Sequence, residues 1–176
     1  MPYPSAYAGA LRINRSRYRV VVERLSYDDD TAFTLADDAS TIARVARTAT
    51  RDQLRAAKFD EWTALEVIGH VADMAEVFAE RVRRMVGEEK PRLASADQDA
   101  IHAERRNNER EPMEFAKRIQ AAHGEIVRLL AEKANRARLG IHGEWGEIDA
   151  AHVAAYQARH AHEHVSQVAE QFPPAN

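Results

Sequence analysis

The 176-residue chain contains no cysteine. This absence excludes disulfide bonds, thiolate metal sites and a cysteine nucleophile. A thiol that takes part in any reaction of this protein must therefore come from a second molecule.

The sequence also lacks long apolar runs and an excess of positive charge. No run approaches the roughly 20 apolar residues of a membrane-spanning helix, and the N-terminus has no basic and then apolar secretion signal. The chain carries 25 basic and 28 acidic side chains, a net charge of -3, so no global positive field exists to hold a nucleic-acid backbone. We expect a soluble cytoplasmic protein that binds neither membranes nor nucleic acid.

The length is that of one domain. Residues 1–27 hold early aromatic residues, a basic patch and a short apolar run, which indicate an N-terminal extension or a short strand. Residues 28–172 are expected to form a helical domain.

Two helices are predicted in the first half of that domain from the spacing of apolar residues. The first follows the acidic residues 28–30 and runs to about Ala49. The second begins at Thr63 and Glu66, which match a capping box, and ends at Gly87.

Two more helices are predicted in the second half. Residues 88–111 form a charged connection with a possible short helix at 97–108. The third helix runs from Pro112 to about Ala134, and the fourth from Ile148 or Asp149 to Phe172. Between them, residues 140–146 contain three glycines and are expected to be a loop or tight turn. With no convincing strand in the core, the pattern predicts an all-α four-helix bundle with a long crossover between the second and third helices.

Three histidines on these helices are candidates for a metal site. His160 and His164 are four residues apart, so their rings lie on one side of the fourth helix. His70 borders the apolar stripe of the second helix, and a bundle builds metal sites from such facing side chains. Without a metal, His160 and His164 would line a surface, and His70 would be a hydrogen-bonded core residue.

The other polar residues near these histidines have less definite roles. Asp73, one turn after His70, is either a partner for a ligand imidazole or a surface carboxylate. His162 and Glu163 face a different side of the fourth helix from His160, although either can serve in an outer layer of the site. The remaining histidines are expected to be structural or exposed: His102, His123, His142 and His152.

The order and spacing of three motifs resemble those of the DinB-like superfamily, also called the YfiT-like metal-dependent hydrolases. The motifs are residues 62–73 with His70, residues 97–99 in the crossover, and residues 160–168 with His160 and His164. The similarity runs from about residue 30 to residue 171 and leaves the N-terminal extension outside. Many members have adjacent histidines in the last motif, whereas this chain has Glu163 and an additional His162.

The resemblance implies an up-down-down-up bundle, commonly a homodimer, that binds a divalent metal, often nickel or zinc. It implies His70, His160 and His164 as the metal ligands. Members include proteins called hydrolases and enzymes that use bacillithiol, mycothiol or glutathione.

We therefore hypothesise a metal-dependent enzyme that activates water or an exogenous low-molecular-weight thiol and acts on a small molecule, as a hydrolase or S-transferase. Asp73, Tyr156 and Glu163 are the candidate catalytic residues, with Glu66 a further acid nearby, and each has a structural role as its alternative. The competing hypothesis is a non-catalytic, stress-related dimeric bundle that binds metal.

Overall fold

The computed structural model describes residues 24–174, and these form a helical bundle with two small sheets. Four helices are long: α1 (Asp29–Thr48), α3 (Ala64–Gly87), α5 (Pro112–Ala131) and α7 (Ala150–Gln171). Three are short: α2 (Arg51–Ala56), α4 (Gln98–Arg105) and α6 (Lys133–Arg136). The predicted all-α four-helix bundle is confirmed.

Local chemistry explains where the long helices begin. Asp28 and Thr31 form a capping box at the start of α1, and Thr63 and Glu66 form the predicted one at the start of α3. The Asp149 side chain accepts a hydrogen bond from the backbone N–H of His152 and caps α7. These side chains satisfy amide groups that a helix start leaves without partners.

The contacts between helices define the direction in which each one runs. Arg118 on α5 binds Asp73 on α3, and Glu125 further along α5 binds Arg83 further along α3, so these two helices are parallel. In the same way, α1 and α7 are parallel, since His162 contacts Asp38 and the carbonyl of Phe172 accepts a hydrogen bond from Arg44.

The remaining neighbours are antiparallel. His70 and Phe78 on α3 meet His160 and Tyr156 on α7 in reverse order. Together these contacts give the up-down-down-up order that the family resemblance implies. The parallel pair α3 and α5 requires the long crossover, because the chain must return to the end at which α3 began.

Short strands occur outside the helical core, in segments for which no strand was predicted. β1 (Lys58–Phe59) and β2 (Trp62–Thr63) form one antiparallel pair before α3. In the other sheet, β3 (Arg92–Leu93) pairs in parallel with β4 (Leu139–His142), which forms a hairpin with β5 (Gly146–Asp149). The expected loop at residues 140–146 is therefore partly strand, and only its tip is a turn.

Other boundaries differ by a few residues. The third predicted helix ends at Ala131 rather than near Ala134, and α6 follows after Glu132, whose backbone is extended. The crossover contains α4 and a 3-10 helix, Asn107–Glu109. The short helix α2 is not among the predicted elements.

Residues 1–27 are predicted to be an extension or a short strand, and most of them, residues 1–23, lie outside the described part of the chain. Of the last residues, Tyr27 is buried, and the backbone N–H of Leu25 donates to Nδ1 of His152 at 3.0 Å. Arg24 forms an ion pair with Asp149 at 2.9 Å. None of the helices in residues 24–174 has the length and hydropathy that a membrane-spanning segment needs.

Candidate metal centre

The three predicted histidines meet between α3 and α7. Nε2 of His70 is 3.3 Å from Nε2 of His160, and the ring centroids of the three histidines are 4.9 to 5.1 Å apart. One nitrogen atom from each ring lies within 4.8 Å of the other two. The antiparallel crossing of α3 and α7 thus brings together residues 90 positions apart in sequence.

The rings are held neutral by their surroundings. Burial, with the neighbouring histidines adding to it, lowers the pKa of His70 to about 2 and that of His160 to about 3. Burial also lowers the pKa of His164, although the Glu163 charge and a hydrogen bond with Gln167 oppose this effect. At neutral pH each ring therefore has an unprotonated nitrogen, which is the form that binds metal.

The donor set fits a divalent cation. Two neutral imidazoles with facing Nε2 atoms repel each other unless one of them donates a proton, and a cation between the rings removes that repulsion. Three imidazoles are a common ligand set for zinc and suit nickel as well.

One side of the site is closed by aromatic rings. The edge of Trp62 lies against His70 with ring centroids 5.2 Å apart, and Trp62 stacks on His102 at 4.2 Å. Nε2 of His102 is 3.6 Å from a carboxylate oxygen of Glu66. His102 is therefore near the site, although the sequence showed no partner for it. Because α4 reaches α3 only through the tertiary fold, no spacing in the sequence links residues 62 and 102.

Asp73 is buried on α3, one turn from His70. Arg118 donates to its Oδ1 at 2.6 Å, and the Asn107 side chain donates to its Oδ2 at 2.9 Å. Arg118 also binds Glu76, and hydrogen bonds to both carboxylates raise the pKa of Arg118. Asp73 thus links α3 to α5 and to the crossover. Its catalytic role stays a prediction.

Tyr156 and Glu163 lie on α7 beside the triad. The Tyr156 ring is stacked with His160 at 6.4 Å and with Phe78 at 5.6 Å. Burial raises the pKa of the Tyr156 hydroxyl. Glu163 is exposed, and its charge acts on His164.

The other histidines take up separate positions. Nδ1 of His162 is 2.9 Å from Oδ1 of Asp38, so this ring is directed toward α1. It therefore lies on a different side of α7 from His160, as its place on the helix predicts. His123 is buried, with Nδ1 2.9 Å from the Leu35 carbonyl and Nε2 3.2 Å from the Gln157 amide. His142 and His152 are buried near the small sheet.

The fold and the sequence can be compared with known proteins. The structure matches YfiT from Bacillus subtilis, described as "a probable metal-dependent hydrolase with an unusual four-helix bundle topology". The TM-score is 0.72 at 19% sequence identity, covering 94% of this chain and 98% of that one. No curated protein is significantly similar in sequence. The profile of the DinB superfamily matches residues 10–168, starting within the segment that the resemblance left out. The chain belongs to the DinB superfamily.

Proposed function

We propose that this protein is a metal-dependent enzyme in which His70, His160 and His164 hold a divalent ion, nickel or zinc. The observation that carries the proposal is the meeting of three neutral, largely buried imidazoles within 4.8 Å of one another. A divalent ion held there supplies Lewis-acid chemistry, because it lowers the pKa of a water or thiol that it binds.

The residues around the triad have separate parts in this proposal. Trp62 and His102 keep water away from one side of His70. The raised pKa of Tyr156 keeps its hydroxyl protonated at neutral pH, so Tyr156 Oη donates a hydrogen bond or a proton to a substrate rather than removing one. Glu163, exposed beside His164, is the candidate proton acceptor.

In this proposal Asp73 positions His70 without contacting the metal. Its two oxygens accept hydrogen bonds from Arg118 and Asn107, which fix the turn of α3 that carries His70. A direct part for Asp73 at the reacting atoms would require a substrate to reach this buried carboxylate.

The substrate is a small molecule, and the second reactant is water or a low-molecular-weight thiol. The chain has no cysteine of its own, so in an S-transfer reaction the sulfur must be supplied by the cosubstrate. That reaction forms a carbon–sulfur bond to a small electrophile, which loses its leaving group.

The first test is the metal content of protein purified without chelator and reloaded with nickel or zinc. We expect about one ion per chain, as three imidazoles complete one site. His70→Ala and His164→Ala should lose it, because two remaining imidazoles bind weakly. His162→Gln, a change in the same motif but outside the triad, should retain it. A parent protein that takes up neither metal would contradict the proposal.

The second test is turnover by the metal-loaded protein. Conjugation of chlorodinitrobenzene should require both the added thiol and the intact triad, whereas ester hydrolysis should require only the triad. Full metal content with no turnover of any thiol or ester would overturn the enzymatic part and favour a metal-binding bundle without catalysis.

A further inference from the structure

A second group of buried polar residues lies next to the three-stranded sheet of β3, β4 and β5, here called the small sheet. These residues have no part in the metal centre. The group consists of Arg81 on α3 and His142 on β4, with Trp145 of the hairpin turn between His142 and Tyr156. Both Arg81 and His142 are buried, with 6% and 4% of their surface exposed.

Hydrogen bonds fix the tautomer of His142. Its Nδ1 accepts from the backbone N–H of Glu144 at 3.2 Å and from that of Trp145 at 3.3 Å. Burial, and then the Arg81 charge, lowers the pKa of His142, so the ring is neutral and its proton is on Nε2. That N–H donor is buried and has no hydrogen-bond partner among residues 24–174. A buried donor without an acceptor is costly and rare.

Arg81 is a buried cation with no counterion at contact distance among the residues that the structure describes. Its Nη2 donates to the Ala94 carbonyl at 2.7 Å, and its guanidinium carbon lies 4.7 Å from the centre of the Phe78 ring. Within the described part of the chain, no carboxylate lies within 4.0 Å of it. Arg83 and Arg84, on the same helix, each bind a glutamate. Burying an unpaired charge is expensive, so this position calls for an anion.

The two donors lie at the same end of the small sheet. Ala94, which binds Arg81, follows Leu93, and Leu93 is paired with His142 in the sheet. Trp145 stacks on His142 at 4.4 Å and contacts Tyr156 at 4.6 Å.

Tyr156 connects this place with the triad. Its ring is stacked with both Phe78, beneath Arg81, and His160 of the triad. Phe78 is eight residues after His70 on α3, which is about 12 Å along the helix axis. Because the Arg81 guanidinium lies over the Phe78 ring, it is also about 12 Å from the level of the triad.

We propose that Arg81 and His142 form an anion-binding subsite that takes the carboxylate of a small molecule whose reactive end lies at the three histidines. The guanidinium offers paired N–H groups that match a carboxylate, and Nε2–H of His142 adds a third donor. The molecule is either the thiol cosubstrate or the electrophile. The inference rests on the proposed function only for the position of the reactive end.

One neighbouring carboxylate, Glu144, acts on both donors of the subsite. Glu144 is exposed, and its charge raises the pKa of both Arg81 and His142. It is therefore close enough to weaken anion binding without forming an ion pair. Removing its charge should strengthen binding.

The experiment compares carboxylic acids with neutral analogues of the same length by calorimetry. Zinc-loaded protein is titrated with ω-mercapto acids of three to eleven carbons and with the matching mercapto alcohols. Alkanoates and alkanols without sulfur form a second arm, which is also run on metal-free ¹⁵N-labelled protein while the His142 Nε2–H resonance is followed.

We expect acids long enough to span about 12 Å to bind tenfold or more tighter than the alcohols, since hydrogen bonds to charged groups carry most of the difference. Alkanoates should shift the His142 resonance, and alkanols should not. Arg81→Gln should abolish the preference for acids. Arg81→Lys should keep part of it, Glu144→Gln should increase it, and Arg83→Gln, the control on the same helix, should leave it unchanged.

Equal binding of acids and alcohols by the parent protein would overturn the subsite and leave the proposed metal enzyme intact. A preference that survives in Arg81→Gln, with circular dichroism showing a folded variant, would also overturn it. If Arg81→Gln does not fold, the His142 resonance of the parent protein decides, because an unchanged resonance under saturating alkanoate contradicts the subsite. If the protein takes up no metal but alkanoates still shift the His142 resonance, only the proposed function is contradicted. Tighter binding of the mercapto acids than of the alkanoates identifies the thiol as the ligand, whereas equal binding of the two identifies the electrophile.

Discussion

Asp38 on α1 is a carboxylate that the fold buries, and burial disfavours its charged form. Only 1% of its surface is exposed, and burial raises its pKa from 3.8 to about 6, although the hydrogen bond and charge of His162 oppose this effect. The folded protein thus binds this proton more tightly than the unfolded chain does. The free energy of unfolding should therefore fall as the pH rises from about 4 through about 6.

The change to test this is Asp38→Asn, which keeps an oxygen acceptor for His162 but cannot ionise. A shift of about two pKa units corresponds to about 3 kcal/mol of stability lost by the parent protein across that pH range. Urea unfolding at pH 4 to 7 should show a smaller loss in the variant. Asp37→Asn, an exposed neighbour, should follow the parent curve. If the unfolding free energies of the parent protein and of Asp38→Asn change equally with pH, Asp38 is not the group responsible.

The candidate site residues differ in how well the sequence could predict them. His160 and His164 share one helix face, so their spacing alone indicates a common direction. His70 could be added because it borders the apolar stripe of its own helix. His102 and His142 could not be predicted in this way. Trp62, which stacks on His102, and Arg81, whose charge acts on His142, are distant in sequence and belong to other elements.

Among the elements, α3 depends on a close contact at Gly69. An added Cβ there would clash with the side chain of Asn107, which binds Asp73. Gly69→Ala should push Asn107 and the crossover away from α3. We expect a loss of about 1 to 3 kcal/mol in unfolding free energy, the usual cost of overpacking.

The control for this change is Gly124→Ala on α5, where an added Cβ meets nothing within 4 Å. That change should stabilise the protein by about 0.5 to 1 kcal/mol, because alanine favours a helix over glycine. Guanidinium unfolding measures both. Limited proteolysis should cut the crossover faster in Gly69→Ala alone, and equal cleavage of both variants would contradict the contact.

Elements with a strong local signal were predicted well. The four long helices have regular apolar spacing and recognisable starts, such as the Thr63 and Glu66 capping box. The strands β1 to β5 are two to four residues long, which is too short for an alternating pattern. They form because the helix ends bring these segments together, as the parallel pairing of β3 and β4 across the crossover illustrates.

For the whole molecule, a metal at the triad would join α3 to α7. An ion that binds only the folded state at about a thousand times its dissociation constant adds about 4 kcal/mol. For a chain of this size, that corresponds to a rise in melting temperature of about 10 °C. Thermal unfolding with zinc and with a chelator measures the difference. His70→Ala should show almost none of it, and an equal rise in that variant would place the ion elsewhere.

The sequence by itself determined the helical class, the approximate extent of the four long helices and the pair of histidines on α7, since each depends on periodicity and capping within one segment. The position of His70 beside the apolar stripe of its helix made it the candidate third ligand, and the family motifs added the up-down-down-up order. Only the tertiary structure decided that His70 faces His160 at 3.3 Å, that Asp73 binds Arg118, and that Arg81 and His142 come together beside the small sheet. Such contacts depend on how helices pack and where a crossover lies, and the spacing of residues along one helix contains no information about either.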